Sequence, residues 1–276
     1  MTYGTLMVRL ELGRSNGRLL EAAGDLAGRS DAGIIGIAAC QPMQIAYGDS
    51  YVPGELIERD REEIQTEIKA AEAEFRSALR TRVSNLEYRS AVTFGSVADY
   101  MAREARCADL IITGVDRNAS FFDSWRPVSI GDLVMQVGRP VLIVPAATDR
   151  LRLARVIVGW KDTRESRRAA IDALPLLKRA DHVVVVEIAG EEELAAARTH
   201  VEDVVGWLER HGVVAEALAC RSSGDEATRL SNIAQEQDAD LIVAGAYGHS
   251  RLHEWVLGGV TRDLLLRADR CSLVSH

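Results

Sequence analysis

Cysteine is scarce in this chain and scattered where it occurs. Cys40, Cys107, Cys220 and Cys271 show no CxxC or metal-ligand spacing, which excludes a disulfide framework or a thiolate zinc centre. Each lies in or beside an apolar run, so all four are expected to serve as small core residues. An excess of positive charge is also missing: 33 Lys and Arg face 41 Asp and Glu, for a formal net charge of −8. No basic patch is available to neutralise a phosphate backbone, and nucleic acid is excluded as a partner. No window approaches the roughly 18 apolar residues of a membrane span, and no membrane segment is expected. The N-terminal stretch MTYGTLMVRLELGRSNG lacks the basic, apolar and small-residue succession of a secretory signal, so the expected location is cytoplasmic.

Motifs for catalysis are equally sparse. There is no GxSxG elbow, no cysteine with a base beside it, and no carboxylate pair whose context calls for acid-base work. His249 and His253 stand four apart beside Glu254, but the order HSRLHE is not H-E-x-x-H and no third ligand accompanies it, so no metal site is expected.

What is present is a repeat. CADLIITG (Cys107 to Gly114) matches DADLIVAG (Asp238 to Gly245) at an offset of 131, and TLMVRLELG aligns with RVIVGWKDT at an offset of 150. A period this long signals duplicated domains, here 1–147 and 154–276, joined by a short polar linker within Pro145 to Leu153. The first copy carries about 19 extra residues between the two landmarks, assigned to an insertion after strand 2, at 41–54. A helical stripe follows it at Ile57, Ile64, Ile68, Phe75 and Leu79, with a shorter counterpart at Leu194, Ala197, Val201, Val204 and Leu208. In the second copy, strands are expected at Arg155 to Trp160, His182 to Ile188, Val213 to Ala219, Asp240 to Gly245 and Cys271 to Ser275. Continuous apolar strands separated by helices imply parallel sheets buried on both faces. The fold class is therefore α/β, with two tandem doubly wound domains and helices on both faces of each sheet. Asp225 and Glu226 read as a helix start capped by Ser222 or Ser223.

The most specific signal is GAYGHSRLHEWVLGGVT, which leads from the apolar run DLIVAG into the helical pattern RDLLLRA. In an open parallel sheet the ligand crevice lies at the carboxyl ends of strands, where the connections switch faces. Gly245 and Gly248 permit positive φ and close backbone approach, while Gly258 and Gly259 bare main-chain N–H groups ahead of a helix starting near Val260. Such a helix N-terminus attracts anions, phosphate above all.

The pattern Gly245-x2-Gly248-x9-Gly258, followed by Gly259, Val260 and Thr261, resembles the nucleotide-phosphate motif of the universal stress protein family. The tandem repeat extends the resemblance over nearly the whole chain. The resemblance implies a five-stranded sheet in the order 3-2-1-4-5 per domain. It also implies ATP or AMP, with Mg accompanying ATP, across the ends of the first and fourth strands of the second domain. Gly245, Gly248, Gly258 and Gly259 would offer backbone contacts to the phosphates, the Thr261 hydroxyl would assist, and His249 and Arg251 would add positive charge. Val158, Trp160 and Ile188 would form the adenine and ribose wall. Lys161 departs from the family, whose ATP binders commonly carry an acid in that column; Asp162 follows one step later. Gly259 stands where serine is common.

The first copy departs further. Arg117 and Pro127 replace its second and third motif glycines, and proline has no N–H to offer; its loop 115–129, with Phe121, Phe122 and Trp125, reads as a packing or interaction surface. The resemblance implies a soluble stress-response factor with a regulatory, non-catalytic role and an unidentified protein partner. Self-association is expected through sheet edges, as a monomer satisfied internally or a homodimer. Two other classes stay open: a ligand-free scaffold, and a slow nucleotide hydrolase or nucleotidyl-transfer enzyme using Asp162.

Overall fold

Ten strands hydrogen-bond into one sheet in the computed structural model, which describes residues 2–42, 54–115, 129–222, 224–246 and 269–276. The strands of the first half are β1 (Thr5–Arg9), β2 (Gly33–Cys40), β3 (Leu86–Val92), β4 (Leu110–Gly114) and β5 (Val141–Val144). Those of the second are β6 (Arg155–Trp160), β7 (His182–Ala189), β8 (Ala215–Arg221), β9 (Leu241–Gly245) and β10 (Cys271–Ser275). The order is β3-β2-β1-β4-β5-β10-β9-β6-β7-β8, so each half has the expected 3-2-1-4-5 arrangement. All pairings are parallel except β5 with β10, which is antiparallel through Val141 to Ile143 and Ser272 to Val274. The two fifth strands therefore satisfy each other within one chain.

Among the described residues the α-helices are α1 (Gly17–Ser30), α2 (Gly54–Leu79), α3 (Val97–Glu104), α4 (Ile130–Val137), α5 (Arg164–Leu177), α6 (Leu194–Arg210) and α7 (Glu226–Glu236). One face of the sheet is covered by α1, α2, α5 and α6, through side chains such as Leu20, Phe75, Leu177 and Leu208. On the other face α3, α4 and α7 pack through Met101, Leu133, Leu230 and Ile233. Central strands are apolar on both faces, as a sheet sandwiched between helix layers requires. The outermost strands β3 and β8 instead mix exposed and half-buried positions. That weak alternation explains why the second edge strand begins two residues later than the apolar run starting at Val213 indicates.

A repeated device aligns the two halves. Asp109 accepts hydrogen bonds from the main-chain N–H groups of Gly4 and Thr5 at 2.8 and 3.0 Å, and Asp240 does the same for Ala154 and Arg155 at 2.9 and 3.1 Å. Both fasten the entry of a half's first strand to the segment leading into its fourth. The connection between halves is polar in composition yet anchored, because Leu151 and Leu153 are buried in the shared core. The Tyr3 hydroxyl donates to the Asp172 carbonyl across the halves at 2.7 Å.

Three details differ from expectation. The extra length of the first copy is shared between the connection and the helix, since α2 has 26 residues and α6 has 17; of the insertion, 43–53 lie outside the described residues. Asp225 itself caps α7, accepting from the Thr228 N–H at 3.0 Å, so neither Ser222 nor Ser223 is needed as the cap. Cys107 is exposed, because the short turn after α3 points it outward beside the Arg89 guanidinium, 3.4 Å away. Most of the loop 115–129 falls outside the described residues, including Arg117, Phe121, Phe122, Trp125 and Pro127.

The seam between the halves carries a buried, unpaired hydroxyl. Ser272 is 1% exposed and its Oγ has no hydrogen-bond partner, where the repeat places Val141 in β5. Removing an orphaned polar atom without opening space is neutral or stabilising, whereas truncating a fully buried leucine costs about 2–5 kcal/mol. Urea unfolding should therefore give Ser272→Ala a midpoint equal to or above wild type, and Leu273→Ala, in the same strand, a clearly lower one.

Candidate functional site

The strand order fixes where a crevice can open. From β6 the chain leaves through α5 on one face, while α7 delivers it to β9 from the other, so the neighbouring carboxyl ends of β6 and β9 form the switch point of the second half. The turn after β6 is short. Thr163 caps α5 by accepting from the Ser166 N–H at 3.3 Å, and the Lys161 N–H donates to the Ser166 hydroxyl at 3.3 Å.

Gly245 ends β9 directly against this turn. A Cβ built there would sit 2.6 Å from the Glu165 carbonyl carbon and 2.6 Å from the Ser166 nitrogen, closer than real side chains approach. Its φ is not positive. The residue type is required by the approach of α5, a packing reason the sequence did not reveal.

Charged groups crowd the rim in pairs. Lys161 Nζ reaches both carboxylate oxygens of Glu226 at 2.8 and 2.7 Å, tying the end of β6 to the first residue of α7. Asp162 is bonded to Arg167 at 2.5 Å. Glu165, 4% exposed, is bonded to Arg164; burial pushes its carboxyl up, but hydrogen bonds from Arg164 and the main chain outweigh this and hold it below the ordinary range. Glu187 goes the other way. It is 8% exposed, and burial raises its carboxyl above the ordinary range despite His200 Nδ1 at 3.2 Å, with Asp162 adding to the rise and Lys161 opposing it.

The register separates residues that the sequence grouped. Trp160 lies opposite Glu187 across the β6–β7 pair, and Trp160 packs on the α5 and α6 face, where its buried indole N–H has no hydrogen-bond partner. Ile188, one residue on, faces α7. Trp160 and Ile188 thus lie on opposite faces of the sheet, and Val158 is enclosed in the core at 1% exposure. Asp162 and Gly245 are at the rim. Gly248, His249, Arg251, Gly258, Gly259, Val260 and Thr261 lie outside the described residues. Glu187, His200 and Glu226 were not singled out for the site from sequence; the acid at the end of the apolar run HVVVVE was the available signal for the first.

The first half carries different side chains at the equivalent strand end. Arg9, aligned with Gly159, is buried at 8% exposure, donates to the Thr113 hydroxyl at 3.2 Å and lies 4.0 Å from Glu11. Its longer turn is fastened by Asn16, whose amide oxygen accepts from the Glu11 N–H at 2.8 Å, and by Glu74 of α2, which accepts from the Asn16 N–H at 3.0 Å.

Two outcomes are expected from these contacts. Gly245→Ala must push α5 backbone aside and should lose about 1–3 kcal/mol in denaturant unfolding. The equivalent Gly114→Ala meets only the end of the Glu11 side chain at 3.3 Å and should lose much less. For Glu187, the folded state holds a proton more tightly than the unfolded one, so its contribution to stability declines as pH climbs from its ordinary value of 4.5 through the raised one. The melting temperature of Glu187→Gln relative to wild type should accordingly be more favourable at about pH 8 than at about pH 4.

Comparison with known proteins bears on the same half. Residues 152–274 match the family model described as the universal stress protein family. No curated protein matches the chain. A universal stress protein from Archaeoglobus fulgidus DSM 4304 superposes with a TM-score of 0.75 at 16% identity, over 98% of this chain and 97% of its own. A functionally unknown protein from Pseudomonas aeruginosa PAO1 gives 0.65 at 15% identity, over 99% and 92%. A universal stress protein solved in complex with cAMP covers 52% of this chain and 98% of its own at 23% identity, with a TM-score of 0.35. The second half of the chain is thus similar to the universal stress protein family over residues 152–274, and the first half repeats the fold of that half.

Proposed function

We propose that the chain is a stress-response factor that binds ATP or AMP at the carboxyl rim of its second domain and acts through that occupancy without turning the nucleotide over. The observation that carries this reading is the coincidence of two features in one half. Residues 152–274 match the family, and the motif Gly245-x2-Gly248-x9-Gly258 begins at the last residue of β9, at the switch point with β6. The phosphates are assigned to the backbone around Gly245, Gly248, Gly258 and Gly259, with Thr261, His249 and Arg251 beside them and Mg accompanying ATP. Ile188 is assigned to the base and ribose on the α7 face; Trp160 and Val158 lie on the other face and support the site from beneath.

A regulatory role is favoured over hydrolysis by the state of the nearest candidate base. Asp162 is committed to Arg167, and an acid aimed at a transferring phosphoryl group is what phosphoryl transfer needs. The domains are taken as 1–147 and 154–276, with nucleotide confined to the second. Because β5 and β10 pair within the chain, a monomer is the favoured state, and the cytoplasm is the assigned location.

Mass spectrometry of ligand gently released from purified protein should yield an adenine nucleotide. Ligand-depleted protein should gain melting temperature with ATP, a stabilisation of about 2.7 kcal/mol at about 100 times the Kd. No released nucleotide together with an unmoved melting temperature would leave the ligand-free scaffold as the function. ATP turnover lost in Asp162→Ala would instead establish an enzyme.

A further inference from the structure

We propose that Lys161 is a phosphate-reading residue held in reserve by Glu226, and that an anionic ligand at the second-half rim takes it over from that carboxylate. The inference rests on the nucleotide reading above and adds the residue through which charge on the ligand is sensed.

Three observations lead to it. Lys161 immediately follows β6, the strand at the switch point, and its side chain runs on the α7 face of the sheet to the first residue of α7. The other cations of this turn are tied locally: Arg164 to Glu165 and Arg167 to Asp162. Those pairs lie in or beside the first turn of α5, whose Glu165 and Ser166 backbone packs on Gly245. Lys161 alone among these three reaches across to another helix. Its side chain and that of Glu226 are each 38% exposed, and a pair so open to water is worth about 0–1 kcal/mol. Exchanging Glu226 for a phosphate oxygen therefore costs little, while the new contact is a charge-assisted hydrogen bond.

The other half supplies an internal contrast. At the equivalent positions it has Arg9 for Gly159 and Glu11 for Lys161. There the cation is buried and bonded to Thr113, and the acid stands beside it. In place of that buried cation the second half has Gly159, and it carries a half-exposed cation at Lys161. The duplicated rims have thus reversed the sign at the aligned positions 11 and 161, and the reversed one is half-exposed and held by a carboxylate on another helix.

Isothermal titration of the full chain, freed of ligand, with ATP, adenosine and tripolyphosphate tests the assignment. Lys161→Met should weaken ATP about tenfold, the loss of one charge-assisted contact. Glu226→Gln, which releases the lysine, should tighten ATP about threefold. Adenosine should be unmoved in both variants, a split that a merely structural role for the pair would not produce. Lys161→Arg should keep most of the affinity, separating lost charge from lost folding. ATP affinity unchanged in both variants, or ATP and adenosine shifted together, overturns the role of Lys161 while leaving nucleotide binding intact. Wild-type protein that takes up none of the three probes overturns both. Lys161-dependent binding of tripolyphosphate with no gain from the nucleoside keeps the lysine's role and removes the nucleotide reading.

Discussion

The main-chain pairing of β5 with β10 is the constraint on which this molecule turns. A five-stranded doubly wound sheet ends in a strand with one ladder of N–H and C=O groups open, and open ladders recruit other chains. Here the two ends close on each other, with Val141 to Ile143 against Ser272 to Val274. One core then runs beneath both halves on the α1, α2, α5 and α6 side, and the connecting segment is drawn into it through Leu151 and Leu153. The described strands left at the edges, β3 and β8, carry charged residues such as Glu87, Arg89, Glu216 and Arg221 at exposed or half-buried positions, a usual protection against edge-to-edge association.

On this shared frame the two rims have reached opposite solutions. The first is completed from inside, by a buried arginine and by Asn16 and Glu74 fastening a long turn. The second keeps a tight turn pressed on Gly245 and distributes its charge in pairs around the margin. The differences include the aligned positions 9 against 159 and 11 against 161, and the longer first-half turn that Asn16 and Glu74 fasten.

Much of the architecture was legible because it rests on local patterns. The offsets of 131 and 150 mark the duplication, and the structure repeats it down to the paired aspartates, Asp109 and Asp240. Arg155 to Trp160 and Cys271 to Ser275 are strands to the residue, since apolar β-branched runs in a sandwiched sheet leave little choice. What escaped depends on partners distant in sequence. Trp160 and Ile188 both end strands, but register puts them on opposite faces, and register is a property of the pair. Gly245 reads in the sequence as a position for positive φ and close backbone approach, whereas its φ is not positive and the nearest crowding atoms belong to Glu165 and Ser166, some 80 positions earlier. Glu187 reads as the polar end of an apolar run until α6 brings His200 to it.

Opposed strand directions across the seam have a geometric consequence. Within each half every strand runs the same way, so reversing direction at β5 and β10 sends the carboxyl ends of one half's strands north and those of the other south. The two carboxyl rims therefore open at opposite ends of one continuous sheet, and the antiparallel ladder of β5 and β10 is the main-chain link between them.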